Sequence, residues 1–291
     1  MFSEIFSILA PVFVCVAIGY GWSKSGKDFD TGLVTSIVTY FGTPSLVFYA
    51  LATVELDVSH LWRMGLSALI ANLAFVVIGG AVLALLKLPH RAFLQALSWP
   101  NVGNVGLPLC LLAFGDEGLA LGIAFFTVYV VLQLTVGVAF VSGKFTLMSL
   151  LKMPIIPATL LASLFLFTGL EVPKWLFNTT KLIGDLTIPL MLFTLGVSLA
   201  SLKIRGLKTA FGLSLLRLGM GVGVGVGIVW GMGLTGPAAG VVILQCSLPA
   251  AVFSYLFAQL YDQRPQEVAG LVIVSTFMGF ASLPVLLWYV L

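Results

Sequence analysis

Ten stretches of about twenty apolar residues follow one another along this chain, joined by connectors too short to hold a soluble domain. They fall near 3–22, 31–52, 63–86, 91–113, 117–142, 147–168, 177–200, 206–230, 238–259 and 267–290. A run of that length in water would be an aggregation hazard, but in lipid it satisfies its own backbone as a helix. Composition agrees. Of 291 residues, 60% are hydrophobic and 9% charged, against about 25% charged in soluble domains. The expectation is an all-α integral membrane protein with ten transmembrane helices. The opening "MFSEIFSILAPVFVCVAIGYGW" lacks a basic leader region and reads as a retained first span.

Basic residues set the expected orientation. The connectors after spans one, three, five, seven and nine hold Lys24, Lys27, Lys87, Arg91, Lys144, Lys152, Lys203, Arg205, Lys208 and Arg264. The other side holds only Arg63, Lys174 and Lys181. The bias places the richer side in the cytoplasm and both termini on the outer, periplasmic side of the plasma (inner) membrane. Trp22, Trp62, Trp175, Trp230 and Trp288 lie near span ends, where an aromatic belt sits.

Two spans carry residues that a lipid-facing helix avoids. Span four contains "SWPNVGNVGLPL", with two prolines, two glycines and two asparagines in twelve residues, and span nine contains "LQCSLPAAVF". Proline removes a donor and clashes with the carbonyl four residues earlier, so each motif predicts a broken helix. Pro108 and Pro249 are 141 residues apart, and Pro44 and Pro189 are 145 apart. Similar features thus recur after five spans, an odd number, so the second half enters the membrane inverted. The expectation is two inverted five-helix repeats, residues 1–143 and 144–291, with crossed broken helices four and nine. Such breaks at matching positions are the pattern of secondary transporters, with the substrate site at mid-membrane. Freed amides at half-helix N-termini favour an anion. The candidate substrate-binding residues are Asn101, Gly103, Asn104, Pro108, Gln245, Ser247 and Pro249.

Arg217, mid-way along span eight, joins them. A cation at that depth needs a partner or a water-filled cavity. Two readings stand: a structural pair with Asp185, or a contact to a substrate carboxylate. Asn72 in span three sits 145 residues before Arg217, and with Asp185 it is a candidate for ion coupling. In span eight, Gly219, Gly223 and Gly227 share one helix face, and Gly221 and Gly225 share another. Both faces permit close helix packing. Cys15, Cys110 and Cys246 read as small buried hydrophobes. His60 and His90 stand alone in connectors, and Asp116–Glu117 read as a solvated cap. No metal set, cofactor motif, catalytic constellation or nucleic-acid patch is expected.

At "PNVGNVGLPL", "QCSLPAAVFSYLFAQLYDQRP" and "IPLMLFTLGVSLA" the chain resembles the auxin efflux carrier family, in the short-connector form of its bacterial members. The resemblance covers nearly the whole chain. It implies a fold similar to NhaA-type antiporters and bile-acid symporters, in which a scaffold rocks or slides against a domain carrying the crossed helices. It also implies transport of a small organic anion, with Pro108 and Pro249 as the crossover prolines and Asn101, Asn104, Gln245 and Ser247 as polar neighbours. Proton or sodium coupling and a homodimer are compatible with it. The alternatives are a sodium-coupled symporter of bile-acid type and a non-transporting membrane sensor.

Overall fold

A computed structural model describes residues 2–53, 58–143, 154–168, 170–202 and 205–291. Met1, the first residues expected for span six (147–153), and Lys144, Lys152 and Lys203 of the basic connectors lie outside them. Among the described residues the protein is all helix, and the only β pairing is one isolated bridge. Seven helical segments there are long and apolar enough to cross a bilayer. This makes the chain an all-α integral membrane protein.

Helix α1 (Phe2–Lys24) leads to α2 (Thr31–Ile37), which passes through a π-helical turn, Val38–Gly42, into α3 (Thr43–Thr53). Helix α4 (Val58–Leu85) is followed by the short α5 (His90–Ser98). The chain then runs through an extended stretch and a π turn, Val102–Gly106, into α6 (Leu107–Leu132). Gly115 folds α6 back on itself, with φ 64° and ψ −156°. That region is essentially closed to any residue with a Cβ. The two arms then touch: a Cβ on Gly118 would strike Phe114 and the carbonyl of Cys110. A third π turn, Gln133–Gly137, leads to α7 (Val138–Ser142).

The rest comprises α8 (Ile155–Thr168), α9 (Lys174–Ser201), α10 (Leu207–Met232), α11 (Gly236–Ser247), α12 (Val252–Leu260) and α13 (Pro265–Val290). Two packed groups emerge. In the first, α1 lies along α9, and α3 lies along both α8 and α9. Small residues set the spacing. A Cβ on Gly19 would enter the Phe193 carbonyl, and one on Gly196 would enter the Val16 carbonyl. In the second group α10 packs on α11, α13 and α4, and α4 packs on α5 and α6. Here Gly221 and Gly225 let α10 press on the backbone of α11 at Cys246 and Ile243. Gly219, Gly223 and Gly227 would meet nothing within 4 Å, so only one of the two glycine faces is used for packing in this chain. Phe13 and Phe280, 5.1 Å apart edge to face, join the two groups.

Connector contacts sort the helix ends into two sides. Lys24 Nζ donates to the carbonyl of Ala200, Arg91 Nη2 to that of Ser142, and the amide of Arg205 to the carbonyl of Gln266. On the opposite side, Arg63 Nη2 donates to the carbonyl of Met232. Cations at helix C-termini also favour the local dipole.

Candidate functional site

The interrupted segments meet. Pro100 and Ala250 form the isolated antiparallel bridge. The amide of Asn101 donates to the Pro249 carbonyl at 2.8 Å, and the amide of Ala251 donates to the Trp99 carbonyl at 3.0 Å. Each proline lacks a donor, so each break exposes main-chain groups, and the other break supplies partners. The break in span four thus lies at Trp99–Asn101, around Pro100. Pro108 does not cause it. The chain is helical on both sides of that residue, the π turn Val102–Gly106 running directly into α6, so its missing amide falls at the π-to-α junction and not in the extended stretch. "SWPN" and "SLPA" are the corresponding stretches, with Pro100 and Pro249 149 residues apart.

Four half-helix ends converge here, and their charges are handled unequally. The two C-terminal ends, of α5 and α11, present carbonyls and carry partial negative charge. Arg217 serves both. Its Nη1 donates to Leu97 at 2.9 Å, its Nε to Leu248 at 3.3 Å and its Nη2 to Cys246. Its guanidinium also stacks 4.3 Å from the Phe75 ring centroid. Asn72 donates to the Ser98 carbonyl at 3.4 Å. Arg217 is 0% exposed. It therefore faces neither Asp185 nor open space, and its charge answers main-chain carbonyls. Asp185 sits on an exposed surface and pairs with Lys181 one turn away, at 3.1 Å. Asn72 and Arg217 do converge on one place, the C-terminal end of α5.

The two N-terminal ends are left open. The amides of Gly103 and Asn104, after the first break, and of Val252 and Phe253, after the second, take no backbone acceptor. All four residues line a cavity of about 500 Å³, a volume typical of small-molecule sites. Asn101 lines it too. Its Nδ2 is buried without a partner, as are Gln133 Nε2 and Thr194 Oγ1, which also line the cavity. Phe126, Phe253 and Leu256 supply apolar surface. The lining named for the cavity includes no Asp, Glu, Lys, Arg or His. All three π turns contribute residues to it, namely Val38 and Thr39, Val102 to Asn104, and Gln133 with Leu134. Such turns re-aim side chains and concentrate at functional sites.

Of the residues expected at the site, Asn101, Gly103 and Asn104 border the cavity. Pro108, Gln245, Ser247, Pro249 and Arg217 are buried behind it, within the second helix group. Gln245 wedges against the backbone of Gly106, where a Cβ would collide with its carboxamide, and lies near Gly122. Pro249 packs on Gly279. Sequence reasoning missed Thr194, Gln133 and the threonines of α2. Their one signal is a spacing of four that aligns polar residues on an otherwise apolar helix.

A polytopic helical membrane protein with a mid-chain crossing of two broken helices beside a cavity is built as a transporter. Comparison with known families agrees. The family model described as "Membrane transport protein" matches residues 4–146 and 139–289. The chain belongs to this family of membrane transport proteins, that of the auxin efflux carriers. It is 23% identical to an uncharacterized transporter of Methanocaldococcus jannaschii over 304 residues, covering 97% of this chain and 96% of the relative. It is 26% identical to an uncharacterized transporter of Methanothermobacter thermautotrophicus over 301 residues, covering 96% and 95%.

Proposed function

We propose that the protein is a secondary transporter that moves a small organic carboxylate by alternating access. The ligand's negative group binds at the crossing, against the amides of Gly103, Asn104, Val252 and Phe253 and the side chain of Asn101. The observation that carries this reading is that these five donors lack protein acceptors and border one cavity. Two opposed helix N-termini sum their dipoles there. The carbonyls that a cation would seek are already engaged by Arg217 and Asn72. This favours an anion over the sodium-symporter alternative.

The working architecture is ten spans in two inverted repeats, 1–143 and 144–291. Near a two-fold axis, equivalent residues of the two halves must approach each other. Pro100 and Pro249 do so through the bridge. Gly42 and Thr187, 145 residues apart, do so in the other helix group, where a Cβ on Gly42 would lie 2.6 Å from Thr187 Oγ1. The contact of span one with span seven also repeats as that of span six with span two. We assign the group of α1, α2, α3, α8 and α9 as scaffold and the group bearing the crossing as the moving body. The cavity reaches from the crossing to Thr31, Pro154, Ser201 and Gln259. These residues lie beside the connectors rich in Lys and Arg, so it is an inward-facing vestibule, with both termini outside.

Purified protein in liposomes, given a panel of radiolabelled short carboxylic acids, tests the reading. Saturable flux of at least one acid, abolished or strongly reduced by Asn101→Ala, is expected. Absence of flux and of binding across the panel rejects it.

A further inference from the structure

The cavity's scaffold wall carries a feature that binding a carboxylate does not require. Thr31, Thr35, Thr39 and Thr43 follow one another at intervals of four, and all four line the cavity. That spacing keeps them on one helix face. The first three are half-buried and Thr43 is 7% exposed, so the row descends from the mouth toward the crossing.

Threonines in apolar helices ordinarily return their hydroxyl to the carbonyl four residues earlier. Thr127, Thr135, Thr159, Thr180, Thr187 and Thr276 all do so here, at 2.7–3.0 Å. The four threonines of the row do not, and their hydroxyls make no other hydrogen bond. Thr194, on helix α9, which packs beside the row, is a further case: its hydroxyl is buried and unpartnered against the same cavity. A chain that needed only polar filler would let these hydroxyls bond inward. Their common exposure to the cavity indicates a ligand group that both donates and accepts, as a hydroxyl does. Across the cavity Phe126, Val130, Leu134 and Leu256 are apolar, and the polar side chains beside them, Gln133, Tyr255 and Gln259, make no hydrogen bond to the row.

We propose that the Thr31–Thr35–Thr39–Thr43 row is a specificity-determining surface that reads a hydroxyl on the ligand. The protein then favours short hydroxy acids over the same acids without the hydroxyl. This rests on the carboxylate-transport reading and narrows it. A row of equivalent uncharged hydroxyls also lets the ligand pass from rung to rung without a deep trap, the balance conduction requires.

The test compares kcat/KM for matched acids in liposomes: propionate with lactate, butyrate with 3-hydroxybutyrate, and succinate with tartrate. The wild type should favour the hydroxylated member of the transported pair by about tenfold, since sites that bond a substrate hydroxyl reject analogues lacking it. Thr35→Val and Thr39→Val keep shape and remove only the hydroxyl. They should bring that ratio to near one. Thr39→Ser should restore the preference. Thr127→Val, whose hydroxyl bonds the Ile123 carbonyl, should leave the ratio as it was. Equal handling of both acids by the wild type overturns the row's role, as does an unchanged preference in both valine variants; carboxylate transport still stands in either case. Failure of the wild type to carry any of the six acids overturns both readings.

Discussion

Arg217 reaches Leu97, 120 residues earlier, and donates Nη1 to its carbonyl at 2.9 Å. Through Cys246 and Leu248 the same guanidinium holds the other half-helix. A buried cation is costly to desolvate, and here main-chain carbonyls at two helix C-termini offset that cost. Arg217→Ala should therefore act on stability before affinity. Each carbonyl left unpartnered costs about 1–3 kcal/mol, so the variant should unfold at a clearly lower Tm in detergent or fail to accumulate. Arg217→Lys keeps the charge but not the fork and should fall between. Its affinity for a transported carboxylate, measured on the protein that survives, should stay within about threefold of wild type. A lysine variant of native Tm but lost affinity would place the guanidinium on the ligand.

Asn101 is the converse case. Its side-chain amide makes no bond within the fold, so Asn101→Ala leaves nothing orphaned. Tm should hold. A hydrogen bond to a charged group is worth about 1.5–3 kcal/mol, so affinity for the carboxylate should fall by tenfold or more in equilibrium binding. Unchanged affinity would take Asn101 out of the site.

The difference between these residues explains what could be read in advance. The apolar membrane helices were legible because lipid leaves apolar runs few alternatives. The crossing was legible as two proline-bearing motifs, but not its register. Pro108 looked as disruptive as Pro100, but the chain stays helical through Pro108, with a π turn just before it, and opens into an extended stretch at Pro100. The role of Arg217 was hidden because its partners are carbonyls, which every residue carries. Gln245 resembled a ligand side chain because sequence gives polarity but not direction.

Gln245 and Gly106 should behave as a coupled pair. A Cβ on Gly106 collides with the Gln245 carboxamide, and overpacking of this kind costs about 1–3 kcal/mol. Gly106→Ala should lower Tm, and Gln245→Ala should relieve much of that loss in the double variant. Additive losses in the thermal-denaturation cycle would show that the two residues do not share the space.

Asp185 pairs with Lys181 on an exposed surface at one helical turn, a kind of contact that contributes little. Asp185→Asn should leave both the rate of carboxylate flux and its response to an imposed pH gradient unchanged. A variant that carries substrate but no longer responds to the gradient would instead mark Asp185 as the coupling group.

The inward-facing assignment can be checked by reaction with single cysteines, because the cavity's two ends differ in chemistry and position. Thr31 and Ser201 border its mouth, Thr39 lies within it, and Asp116 sits on the turn at Gly115, among the ends of the opposite side. With Cys15, Cys110 and Cys246 replaced by Ala, a membrane-impermeant maleimide should label Thr31→Cys and Ser201→Cys only from the cytoplasmic face of oriented vesicles. Asp116→Cys should react only from the other face. Thr39→Cys should react more slowly than Thr31→Cys, and saturating carboxylate should slow it further by occupying the space between the row and the crossing. Under the proposed alternating access, some Thr39→Cys labelling from outside is expected once substrate is cycling. Thr31→Cys, beyond the site on the inner side, should stay silent from outside under all conditions. Labelling of Thr31→Cys from the outer face would reverse the orientation drawn from the basic connectors.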